Sequence, residues 1–134
     1  MKNTFYLYFI TVFSFLNYMN QEKPLKKSIA DGFEIYKDFC IQCHLDNGNG
    51  VANVFPPLAK SDYLQNNLEE SIRGVKYGLK GEITVNGMIY NGIMTQQGLD
   101  DEEIADVMNY ILNNWGNKTN KQITETNVME VKKI

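Results

Sequence analysis

Cys40-Ile41-Gln42-Cys43-His44 contains both cysteines and the only histidine of this 134-residue chain. Two thiols and an imidazole are thereby packed into five positions. Cys-x-x-Cys-His is the spacing that attaches a c-type haem. Each thiol adds its S–H across a porphyrin vinyl group, giving a thioether with no leaving group, and the adjacent imidazole reaches the iron from the same side. Other chemistries explain less of the motif. A structural zinc ion needs four ligands; the cluster offers three, and even with Asp or Glu as the fourth, all three would lie in one tight turn. A thioredoxin-like dithiol calls for a surrounding βαβ pattern, which the flanking sequence lacks. A Cys40–Cys43 disulfide would close a very small loop and leave His44 without a role.

The motif supplies one axial ligand, and without a second histidine a bis-histidine haem is excluded within the chain. A methionine thioether is the natural alternative, and it raises the reduction potential. Met1 and Met19 belong to the N-terminal segment and Met129 to the C-terminal tail, while Met108 falls on the apolar face of a helix, where packing is its expected role. Met88 and Met94 remain. Met88 directly follows Asn86-Gly87 and should lie on the return strand of a hairpin. Met94 is expected in the loop beyond, free to present its thioether without breaking a strand ladder.

These residues need a frame. Residues 21–30 are charged, contain Pro24 and read as a linker. Asp31 to about Ile41 reads as a helix, with Asp31 and Glu34 as a capping box and the haem motif at its C-terminal end. Asp46-Asn47-Gly48-Asn49-Gly50 must be loop, and Phe55-Pro56-Pro57-Leu58 is a second rigid, irregular segment. A helix is expected around Leu68 to Leu79, with Glu69 and Glu70 favourably placed at its start. Asn86-Gly87 between short apolar flanks signals a two-residue hairpin turn. The clearest helix runs from Asp100 to Trp115. It opens on an Asp100/Glu103 capping box, carries an apolar stripe from Ile104 to Trp115, and Gly116 is placed to end it. Residues 118–134 read as a polar, mobile tail.

Length and 43% hydrophobic residues suit one domain. A net charge of −3 and a pI near 5.1 provide no basic field for nucleic acid. In residues 1–20, Lys2 precedes an apolar run from Phe5 to Leu16. That run is shorter than the roughly 20 residues of a spanning helix, which favours a signal peptide, although the poor cleavage site leaves an N-terminal anchor open. Either outcome places the domain in the periplasm or on the outer face of a bacterial membrane.

From about Asp31 to Asn117 the chain resembles the class I c-type cytochromes, small Met/His monohaem electron carriers. Gly32 and Tyr36 match the family's small and aromatic positions on the opening helix, and Tyr110 matches the aromatic position on the final helix. Pro56-Pro57-Leu58, twelve residues after His44, matches the Pro-x-Leu segment. The stretch from Tyr90 to Met94, followed by Leu99 to Ala105, looks like the methionine loop and final helix. Gly81 to Asn117 is especially similar to monohaem domains found alone or fused to copper nitrite reductases and other respiratory enzymes.

The resemblance implies an all-α cytochrome c fold, three to four helices around one covalently bound haem c, with a short β-hairpin before the methionine loop. It implies covalent attachment at Cys40 and Cys43, axial iron ligands at His44 and Met94, a Pro56 carbonyl accepting from His44, and haem packing by Leu58. Family members commonly carry proline after the ligand methionine; here the residue is Thr95. The domains expected are an export segment at 1–20, a linker at 21–30, the cytochrome domain at 31–117 and the tail at 118–134. The function implied is single-electron transfer between redox partner proteins such as a respiratory oxidase, reductase or dehydrogenase, with no catalytic residue. A small-gas binder that displaces Met94 and a fixed electron-input subunit of a larger oxidoreductase are the alternatives. Arg73 and Tyr77 are candidates for the haem propionates.

Overall fold

Two helices crossing at a glycine set the frame. In the computed structural model, which describes residues 22–134, α1 (Leu25–Phe39) packs across α5 (Asp101–Leu112). At the crossing Gly32 has no side chain to hold the helices apart; a Cβ there would stand 2.0 Å from the Asp106 carbonyl oxygen. Tyr36, Tyr110 and Trp115 fill the space beside it, with ring centroids 5.0–5.3 Å apart. Such tilted and edge-on aromatic pairs contribute beyond their buried area.

Between these helices the chain forms α2 (Ile41–His44), α3 (Asp62–Asn66), α4 (Leu68–Tyr77), β1 (Leu79–Val85) and β2 (Met88–Met94). The strands make one antiparallel hairpin, with Val85 opposite Met88 and Leu79 opposite Met94. Asn86 and Gly87, at φ 51° and 78°, form the expected turn with both central residues left-handed. The Asp100/Glu103 capping box is closed in both directions. A helical fold carrying one small hairpin is the predicted class.

The chain ends depart from the sequence reading. The first helix begins at Leu25, six residues before Asp31, so residues 25–30 are helix rather than linker and Asp31 lies inside it instead of capping it. The charges that suggest a linker are engaged: Lys23 lies 2.7 Å from Asp106 and 3.2 Å from Asp31, and Lys27 lies 2.8 Å from Asp31. Beneath them Ser28 donates to Asp106 at 2.6 Å, and Asn109 donates to Ser28 at 2.9 Å. The tail is not loose either. It forms α6 (Glu125–Glu130) and buries Ile123, Val128 and Val131 in the core. Asn109 joins it to α5, donating to the Ile123 carbonyl at 2.7 Å and accepting the Ile123 N–H at 2.8 Å. The export segment at 1–20 lies outside the described residues. No helix among the described residues is long and apolar enough to cross a membrane.

Candidate functional site

The haem motif follows directly on α1. Cys40 caps that helix, and α2 carries Cys43 and His44 before Leu45 reverses the chain at φ 63°. Two bonds fix this corner: the Tyr36 hydroxyl donates to the Leu45 carbonyl at 2.7 Å, and the Gly50 N–H donates to the His44 carbonyl at 3.0 Å. The helix crossing is thus wired to the motif through Tyr36.

His44 Nδ1 lies 3.0 Å from the Pro56 carbonyl oxygen. A carbonyl only accepts, so Nδ1 carries the hydrogen and the lone pair resides on Nε2, the tautomer a metal ligand needs. Burial holds the imidazole below its ordinary pKa, outweighing the upward pull of the Pro56 bond. The neutral ring is therefore favoured. Burial, with Cys43 nearby, pushes the Cys40 thiol up to about 11, so it is an uncharged S–H at neutral pH.

Two adjoining spaces share His44, Pro56, Leu79, Ile83 and Met94 as walls, and together they form one cleft. Cys43 lines one lobe and Cys40 the other. The floor under Cys40 is apolar, made by Leu58, Val107, Met108 and Ile111. The lobe beside Cys43 has no charged residue in its wall.

The hairpin also lines the cleft. Strand alternation puts Leu79, Gly81, Ile83 and Val85 of β1 on the inner face, and their partners Met94, Gly92, Tyr90 and Met88 share it. Met94 thus faces the cleft as the last residue of β2, not as a loop residue beyond it. The end of a ladder serves as well as a loop, because the side chain projects inward while the backbone stays paired. Met88 sits at the hairpin tip, 39% exposed and outside both lobes, with the Tyr90 hydroxyl 3.9 Å from its sulfur. Arg73 and Tyr77 are not in the cleft. Arg73 pairs with Glu69 and Glu70 and donates to the Lys132 carbonyl, and Tyr77 donates to the Val131 carbonyl. Both hold the C-terminal segment. That segment reads as tail in the sequence, and so the role of these two residues is hidden there.

Donors this soft, set in walls this apolar, fit a large flat apolar cofactor with a metal at its centre. Two alkylatable thiols, an imidazole of fixed tautomer and a thioether line one cleft, the donor set of a covalent haem domain. The comparisons with known proteins agree. Residues 29–115 match the cytochrome c family, and the chain belongs to it as a class I c-type cytochrome with a covalently attached haem c. The chain is 43% identical over 111 residues to cytochrome c-552 of Thermus thermophilus, covering 78% of this chain and 84% of that protein. It is 29% identical over 105 residues to the cytochrome c subunit of a quinone alcohol dehydrogenase from Gluconacetobacter polyoxogenes, covering 75% of this chain and 22% of that subunit. The function of this class is the carriage of single electrons.

Proposed function

We propose that this chain carries single electrons between respiratory partners through an iron held axially by His44 and Met94, with its haem tethered at Cys40 and Cys43. The observation that supports this reading is that His44 and Met94 line the same two lobes of one largely apolar cleft, which both cysteines border. Haem iron supplies the one-electron change. The protein supplies two fixed donors, so little rearrangement accompanies a change of oxidation state, and walls that exclude water. Pro56 orients His44, and Leu58 packs beneath the cofactor. A general base or nucleophile has no part in this chemistry, and the chain acts as a carrier rather than an enzyme.

Partners dock beside the cleft mouth. Val54 and Ile93, 53% and 70% exposed, border it and offer an apolar footing suited to brief encounters. The relatives include subunits of a quinone alcohol dehydrogenase, which supports a dehydrogenase as the partner class. Residues 1–20 direct export, so the domain works in the periplasm or on the outer face of a bacterial membrane. The test is chemical. Purified protein should keep its haem through acid-acetone extraction and show a low-spin c-type spectrum; extractable haem would refute the covalent reading.

A further inference from the structure

The site has a support beyond the residues so far given roles. Asn117 is 5% exposed and lies after Trp115 and Gly116, which turn the chain out of α5 at φ 51° and 86°. Its Nδ2 donates to two carbonyls, Leu58 at 2.7 Å and Ile111 at 2.9 Å. Its Oδ1 is buried with no hydrogen-bond partner among the described residues. The alternative amide orientation would turn that oxygen on two carbonyl oxygens, so the observed one is required. Burying an unpaired acceptor is unfavourable, and it is retained here because the position needs two donors on one atom. Neither aspartate nor serine supplies that.

The strip held in this way is the one that orients His44. Leu58 is two residues past Pro56, and besides the His44 bond to Pro56 the strip is tied by backbone: the Leu58 and Ala59 N–H groups both donate to the Gly48 carbonyl, at 2.7 and 2.9 Å. Asn117 adds the sole tie from this strip to the end of α5 among the side-chain hydrogen bonds described. We propose that Asn117 is a positioning residue for the haem site: by pinning the Leu58 carbonyl to the end of α5 it sets the depth of the Pro56 carbonyl, and so the strength of the His44 hydrogen bond. This rests on the reading of His44 as an iron ligand. A stronger Nδ1–H bond makes the imidazole a better donor and favours the oxidised iron. Loosening the strip therefore raises the reduction potential.

The test uses haem-loaded protein. Asn117→Ala and the isosteric Asn117→Asp should both raise the midpoint potential and speed exchange of the His44 ring N–H at least tenfold. Val128→Ala, which removes packing far from the strip, should lower thermal stability with neither change. Asn117 variants that lose stability yet keep the potential and the exchange rate would overturn the proposal. The ligand reading is checked separately in the wild-type ferric protein, where the His44 ring signals must be paramagnetically shifted. If they are not, His44 does not bind iron and the proposal falls with that reading. Should neither Asn117 variant load haem, wild-type protein decides. The Asn117 amide and His44 ring protons should lose protection together on warming, and free exchange at Asn117 beside a protected His44 would refute the link.

Discussion

Replacing Gly32 by alanine should damage this protein, although alanine is the better helix former. The added methyl would stand 2.0 Å from the Asp106 carbonyl oxygen and 2.9 Å from Tyr110 Cβ, whereas ordinary contact begins at 3.4 Å. The obstacle is backbone, so α1 and α5 must part by about 1.4 Å at their crossing. Overpacking of this kind costs about 1–3 kcal/mol, and a backbone obstacle puts it at the upper end. Helix propensity returns about 1 kcal/mol, leaving a net loss of about 2 kcal/mol. Gly74→Ala is the matched control. It also lies in a helix, and the nearest protein atom to its new methyl is Leu79 Cβ at 3.6 Å; because Gly74 lines the cleft and faces no backbone obstacle, a smaller loss than at Gly32 is expected. Denaturant unfolding followed by far-ultraviolet circular dichroism and haem absorbance measures both. Because Tyr36 couples the crossing to the Leu45 carbonyl, the Gly32 variant should also lose its native haem spectrum at lower denaturant. Equal stability of the Gly32 variant and wild type, or equal losses in the two variants, would refute the close crossing.

Two further outcomes follow from the chain ends. Truncation after Asn117 removes Ile123, Val128 and Val131, each at most 4% exposed, and should cost several kcal/mol even after the ordering entropy of the segment is returned. A truncated protein that melts within a few degrees of the full chain would make the segment dispensable. Lys23→Ala should cost about 1–2 kcal/mol, since it strips the buried Asp106 carboxylate of its cation. Burial works against the Lys23 ammonium, but its bonds to Asp106, Glu102 and Asp31 outweigh burial and raise its pKa above the ordinary 10.5. That contribution is complete below pH 10.5 and is lost as pH rises through the higher folded value. The gap between wild type and variant should hold from pH 7 to about 10 and close above; a gap that widens above pH 10.5 would contradict the pairing.

What the sequence reveals follows from how local each signal is. The haem motif, the Asn86-Gly87 turn and the Asp100/Glu103 box are each satisfied within a few residues, and local chemistry suffices to read them. The start of α1 is different. Lys23, just ahead of its first turn, pairs with Asp106, 83 positions away, so this charged stretch looks like linker until that partner is in view. The final segment fails for the same reason: Ile123, Val128 and Val131 are scattered singly, and the side chains that tie this segment to the core, Asn109, Arg73, Lys76 and Tyr77, are distant in sequence. Met94 as a residue of the cleft wall was legible by elimination and resemblance. Its place at the end of a paired strand was not, because a run such as Asn91-Gly92-Ile93 looks like loop until its partners Lys80, Gly81 and Glu82 are opposite it.

The most direct test of the site is a pair of substitutions read by the ferric methionine–iron charge-transfer band. Met94→Ala should abolish the band and Met88→Ala should leave it intact, in protein whose haem remains attached at Cys40 and Cys43. Loss of the band in the Met88 variant, with the Met94 variant unchanged, would move the ligand to the hairpin tip and contradict the pairing of His44 with Met94.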